Sequence, residues 1–122
     1  MIELLLLLNV CHWVGDYTHA SRPWMLAAKK FGRPLAPIAA HALVHAWLVT
    51  AVCLFAVDAK AGWIAFYIML PTHFAIDVLK GRINEWVPAV QNPSGYWHWW
   101  VFGADQFAHQ AVIILIAYVV TP

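Results

Sequence analysis

Four apolar stretches, at residues 2–18, 37–57, 61–80 and 100–118, carry almost no charge until their ends. A helix needs roughly 20 apolar residues to cross a bilayer, so four crossings use nearly the whole chain. The first stretch is only just long enough. The breaks between them carry turn residues: Ser21-Arg22-Pro23 with Gly32-Arg33-Pro34, then Asp58-Ala59-Lys60, then Gly81-Arg82 through Asn92-Pro93-Ser94-Gly95. The expected fold is an all-α integral membrane four-helix bundle, one transmembrane domain over residues 1–122, with short interfacial helices or loops on the cytoplasmic side. Composition excludes the alternative of a soluble globular domain: 63% of residues are apolar and 11% charged, against about a quarter charged in ordinary domains.

Orientation follows from the basic residues. Arg22, Lys29, Lys30, Arg33, Lys80 and Arg82 fall in or beside the first and third connections, and only Lys60 falls in the second. The positive-inside bias therefore places the first and third connections in the cytoplasm and both termini outside. A net charge of +1 offers no basic stripe, which excludes nucleic acid as a partner. Met1-Ile2-Glu3 ahead of five leucines lacks a basic leader and an Ala-x-Ala exit, so this segment is read as a retained first span. Cys11 and Cys53 lie inside apolar runs without Cys-x-x-Cys spacing and are read as small core residues. Trp86, Tyr96, Trp97, Trp99 and Trp100 form an aromatic belt, serving as anchors or as a lid. Trp24-Met25-Leu26-Ala27-Ala28-Lys29-Lys30-Phe31 has the pattern of a short interfacial helix.

The polar residues inside the spans are arranged in pairs. His12 and Asp16, His41 and His45, His73 and Asp77, and Asp105 and His109 are each spaced i, i+4 and share a helix face, one pair per span. Only His19, Asp58 and His98 stand outside the pairs; His19 and His98 are read as surface residues. Alternating span direction brings all four pairs to one depth, near the cytoplasmic face. His12, His45, His73 and His109 form the deeper layer, and Asp16, His41, Asp77 and Asp105 the shallower one. Four residues of helix separate the layers by roughly 6 Å, close enough for neighbouring ligands to share metal ions.

Ionisable groups in a bilayer need partners, and imidazoles with carboxylates and no thiolate suit a divalent metal. All eight residues are candidate ligands. Their excess over the three or four needed by one ion points to two ions, with zinc favoured and manganese or iron as alternatives. Some of the eight can instead orient ligating imidazoles. Asp16, Asp77 or Asp105 is a candidate proton acceptor when not itself a ligand. Lys80, three residues after Asp77, is either an electrostatic clamp that binds anionic substrate or a lysine reaching to the interface. Gln106 is a candidate substrate or ligand contact, or a bridge between helices. Pro71, two residues before His73, can bend the third span.

The ordered motifs His12-x3-Asp16-Tyr17, Trp24-Met25, Lys29-Lys30, His41-x3-His45, His73-Phe74-x2-Asp77-x2-Lys80 and Asp105-Gln106-x2-His109 resemble those of the small bacterial and phage membrane proteins grouped as domain of unknown function 3307. The resemblance covers nearly the whole chain. Where the family has a glutamine after its first Asp-aromatic pair, this chain reads Thr18-His19-Ala20-Ser21. The family is similar in style to predicted membrane-bound metal-dependent hydrolases, a similarity that favours hydrolysis. The expected activity is hydrolysis of an ester or phosphoester of a lipid-like substrate entering from the cytoplasmic leaflet, in a bacterial inner membrane. The same cluster also suits divalent-metal binding or transport, a proton relay without bond chemistry, or a di-iron redox centre. Membrane lipid is the expected surrounding partner, and a unit this small has lipid-facing surface enough to pair as a homo-oligomer.

Overall fold

A computed structural model describes residues 1–18 and 20–121. It contains five α-helices, α1 (Ile2–Tyr17), α2 (Pro23–Phe31), α3 (Leu35–Ala56), α4 (Ala59–Trp86) and α5 (Tyr96–Val120), with a 3-10 turn at Pro88–Gln91. There is no strand among the described residues. By length and hydropathy, α3, α4 and α5 are each capable of crossing a membrane. Helix α1, with 16 residues, is shorter than any of these.

Local sequence accounts for the boundaries. Asp58 accepts a hydrogen bond from the Ala61 amide at 2.7 Å and caps α4. Because only Val57 and Asp58 separate α3 from α4, these two helices return on each other and form the most extensive interface. Small residues let them approach: a Cβ added at Gly62 would stand 3.2 Å from the Thr50 carbonyl oxygen. Helix α1 packs on α3 and α5, and α4 on α3 and α5. The apolar core, including Leu4, Leu8, Val49, Cys53, Met69 and Ile113, fills the end of the molecule where α3 turns into α4. Cys11 is half-buried instead, with its Sγ 3.9 Å from the Leu48 carbonyl oxygen.

The outward faces are apolar. Phe55 is 86% exposed, Phe107 75% and Tyr118 73%, while His41, His73 and Asp77 are essentially fully buried. An apolar exterior around a polar interior reverses the arrangement of a water-soluble domain and matches a bilayer environment.

Helix α2 is the short helix expected at residues 24–31, and its docking positions the site. Pro23 opens it and Gly32 closes it in the left-handed region at φ 64°. Gly32 then lies directly on Gly81 of α4: a Cβ at Gly81 would fall 2.0 Å from the Gly32 nitrogen and 2.5 Å from the Lys29 carbonyl oxygen. Asn84 donates to the Lys30 carbonyl at 3.2 Å. Arg33 pairs with Glu85, which also accepts from Arg82 at 2.9 Å.

These contacts explain why α4 runs on to Trp86 rather than ending near Lys80: its polar C-terminal turns are occupied by α2 instead of dissolving into a loop. The third connection is correspondingly shorter, because α5 begins at Tyr96. His98 therefore sits on α5, half-buried with its Nδ1 2.8 Å from the Val90 carbonyl oxygen, not in a surface connection. His19 lies outside the described residues. Helix α4 continues through Pro71, beside which the Thr72 hydroxyl donates to the Ile68 carbonyl at 2.6 Å. The belt residues Trp86, Tyr96, Trp97, Trp99 and Trp100 are all exposed.

Candidate metal centre

The four i, i+4 pairs converge. His12 and Asp16 come from α1, His41 and His45 from α3, His73 and Asp77 from α4, and Asp105 and His109 from α5. The five deeper-facing and central imidazoles are in mutual contact: ring centroids are 3.8 Å apart for His45 and His73, 4.4 Å for His73 and His109, 4.6 Å for His41 and His45, and 5.0 Å for His12 and His109. Room for this comes partly from Gly15, where a Cβ would stand 2.5 Å from His45 Cε1.

The shallower carboxylates close over the rings. Asp16 Oδ1 is 3.0 Å from His41 Nε2 and 3.3 Å from His45 Nε2, and Asp16 Oδ2 is 3.2 Å from His12 Nε2. Asp77 Oδ2 is 3.4 Å from His73 Nε2. Asp105 stands to one side, with Oδ1 3.7 Å from His109 Nδ1 and Oδ2 accepting from the Gln106 amide at 3.1 Å.

Two sets of donor atoms are grouped closely enough to hold an ion. Asp16, His41, His45 and His73 form one, and His73, Asp77 and His109 the other, with the donor atoms in each within 4.8 Å of one another. His73 belongs to both. His12 and Asp105 belong to neither and flank the sets.

Many of the donors have no partner outside the centre. The Nδ1 atoms of His12, His41 and His73 are buried without a hydrogen bond, and the Nε2 atoms of His12, His45, His73 and His109, both oxygens of Asp77 and Oδ1 of Asp105 meet only Lys29 or one another, at 3.2–3.8 Å. An unsatisfied buried polar atom costs about 1–3 kcal/mol. Buried nitrogen and oxygen lone pairs pointed at one another are what a divalent cation satisfies, so these residues fit a metal.

Sequence reasoning missed Lys29. Its ammonium reaches from α2 into the centre, 3.2 Å from Asp16 Oδ1, 3.2 Å from Asp77 Oδ1 and 2.9 Å from His41 Nε2, with only 12% of its side chain exposed. Burial alone would lower its pKa, but the carboxylates of Asp77 and Asp16 more than offset this, and the net shift is upward from the ordinary 10.5. The signal lay in α2: Met25 and Ala28 are its buried residues, and Lys29 is four positions after Met25 on that face. Lys80, the lysine singled out from sequence, instead lines the entrance. With Tyr17, Lys29, Lys30, Asn84 and Gln106 it borders an open cavity of about 250 Å3 that Asp16 and Asp105 also face.

The structure thus brings all eight paired residues together, adds Lys29, and leaves Lys80 and Gln106 at the mouth. Gly15→Ala is expected to displace the His45 ring, lower thermal stability by about 1–3 kcal/mol, and weaken metal retention in the set containing Asp16. Thermal unfolding with metal analysis checks both effects.

A family model described as Protein of unknown function (DUF3307) matches residues 4–122. No curated protein and no solved structure matches the chain.

Proposed function

The chain belongs to the DUF3307 family, and from that premise and the geometry of its centre we propose that it is a membrane-embedded, metal-dependent hydrolase. Its substrate is an ester or phosphoester of a lipid-like molecule at the cytoplasmic leaflet of a bacterial inner membrane. In this reading α1 is a fourth span beside α3, α4 and α5, both termini are outside, and α2 lies in the cytoplasmic interface. The gathering of Arg22, Lys29, Lys30, Arg33, Lys80 and Arg82 around the α2 end supports that orientation.

One observation carries the assignment: two donor sets joined at His73 sit beneath an open cavity that is lined by both cations and carboxylates. Asp16, His41, His45, His73, Asp77 and His109 would hold one or two ions, zinc by preference, with manganese or iron as alternatives. Such an ion supplies Lewis acidity and makes water a stronger acid.

The remaining groups have separate tasks. His12, 3.2 Å from Asp16 Oδ2, orients that carboxylate. Asp105, outside both sets and facing the cavity, accepts the proton of the attacking water. As the water oxygen bonds to phosphorus or the acyl carbon and the ester bond breaks, that proton passes to the departing alkoxide. Lys29 and Lys80 stabilise negative charge on the substrate oxygens, and Gln106 orients Asp105 through its 3.1 Å hydrogen bond. The apolar core that fills the opposite end of the molecule favours this reading over ion transport, which requires a polar path through both halves.

Purified in detergent, the chain is expected to retain about one to two equivalents of divalent metal and to hydrolyse a phosphoester lipid until it is treated with chelator. His45→Ala is expected to lose hydrolysis and part of the bound metal, since it removes a donor from one of the two sets. Less than about one equivalent in careful preparations, unchanged by His45→Ala, overturns the proposal.

A further inference from the structure

The polar entrance continues sideways into an apolar groove. Between α4 and α5 lies a second cavity, of about 160 Å3, whose lining includes Ile76 and Leu79 from α4 and Val101 and Ala108 from α5. Lys80 and Asp105 line this groove as well as the entrance cavity, so the two meet at these side chains. One compartment therefore presents ammonium and carboxylate groups, and the next presents hydrocarbon. The groove is open on its outer side, since Leu79 is 58% exposed and Ala104, on its rim, is also exposed.

We propose that this α4–α5 groove binds one acyl chain of a phosphate-bearing lipid whose headgroup occupies the entrance cavity beside Lys80. The inference rests on the hydrolase reading and narrows it to a substrate that enters laterally from the bilayer. Three observations select this occupant. The groove is apolar except where Lys80 and Asp105 stand, with Ile76 and Ala108 on one side of them and Ile83 and Val101 on the other, so a headgroup at these two side chains leaves hydrocarbon lining for a chain. The entrance cavity that meets the groove there carries three lysines, Lys29, Lys30 and Lys80, which complement an anionic phosphate. The junction also holds Asp105, the proposed proton acceptor, so the bond joining headgroup to chain would lie beside it. The larger cavity of about 500 Å3 on the outer face of α5, lined by Tyr96, Trp99, Trp100, Gly103, Ala104 and Phe107, has no charged group at either end and lacks this amphiphilic arrangement.

The test uses the full chain in phosphatidylcholine vesicles containing phosphatidic acid with a diazirine in one acyl chain. After illumination, labelled residues are mapped by mass spectrometry. Labelling at Ile76, Leu79, Val101 and Ala108 is expected to exceed that at Leu43, an exposed α3 residue two positions from His41. The expected ratio is about tenfold, corresponding to a preference of about 1.4 kcal/mol over bulk lipid. Ala104→Trp, at an exposed position, is expected to abolish the excess by filling the groove while metal content stays unchanged. Lys80→Met is expected to reduce it to the level found with phosphatidylcholine carrying the same diazirine.

Equal labelling of Leu43 and the groove, or an excess that survives both substitutions, overturns the proposal. A groove that remains unlabelled in a chain that sediments as a dimer assigns it to a second copy and also overturns it. The two readings fail separately: a chain without metal that still labels in the groove refutes the hydrolase and keeps the lipid site, and a metal-loaded chain with flat labelling does the reverse.

Discussion

His73→Ala is expected to weaken both halves of the centre at once. His73 is the residue common to the two donor sets, one formed with Asp16, His41 and His45 and the other with Asp77 and His109. Its ring also lies between its neighbours, 3.8 Å from the His45 centroid and 4.4 Å from that of His109. Removing it leaves one set with three donors and the other with two, so the second can no longer retain an ion and the first loses its fourth ligand. Metal content is expected to fall from about two equivalents to about one, with hydrolysis falling in parallel.

His12→Ala provides the contrast. His12 touches Asp16 without belonging to either set, so the expected effect is the roughly 10–100-fold loss of affinity that accompanies removal of an orienting group. Metal analysis at matched free zinc distinguishes the two variants. If His73→Ala keeps both equivalents, the sets do not share this residue and the two-ion arrangement is wrong.

Lys29→Met is expected to destabilise the chelator-treated protein by about 3–5 kcal/mol, the cost of leaving buried charge without its partner. Asp16 and Asp77 are both within 3.2 Å of the Lys29 ammonium, and in the metal-free protein it is the nearest cation to either. Saturating zinc is expected to recover much of that loss, because an ion held by the same carboxylates supplies the missing charge. Lys30→Met, at an exposed site, is expected to change stability by no more than about 0.5 kcal/mol.

The pH dependence has a definite sign. The folded-state pKa of Lys29 is raised above 10.5, so its stabilisation is fully present below that unfolded value and is lost only as pH rises through the higher folded value. The Lys29→Met deficit is therefore expected to stay constant across the neutral range. Thermal unfolding in detergent, with and without zinc, measures it; equal stability of wild type and variant after chelation would contradict the role given to Lys29.

The candidate site was legible because helical spacing is local. An i, i+4 pair occupies one face wherever its helix packs, so His12 with Asp16 and His73 with Asp77 needed no tertiary information to be recognised. The helices themselves were legible from hydropathy, although their ends were not. Continuation of α4 to Trp86 depends on Gly81 meeting Gly32 and on Asn84 reaching the Lys30 carbonyl, contacts between segments fifty residues apart in sequence. The same docking delivers Lys29 to the carboxylates. Lys80 stood out because it shares a helix with Asp77. The reach of Lys29 across helices is not encoded in sequence spacing.

Asp105 shows a similar limit. Its spacing to His109 matches that of the other pairs, yet it belongs to neither donor set and faces the entrance cavity. Spacing identified a common face but not which of its residues fall within a donor set.

The 16 residues of α1 also bear on the surrounding bilayer in the proposed topology. At 1.5 Å per residue the helix is about 24 Å long, against a hydrocarbon thickness of about 30 Å. Its companions, with 22, 28 and 25 residues, have no such shortfall. Hydrophobic mismatch confined to one flank thins the adjoining leaflets at a cost of fractions of a kcal/mol per Å. It draws headgroups inward toward Asp16 and Tyr17, the last turn of α1. In the proposed topology the short helix would lower the membrane surface toward the candidate metal centre, and would make the thickness of the host membrane a determinant of how readily a lipid headgroup reaches it.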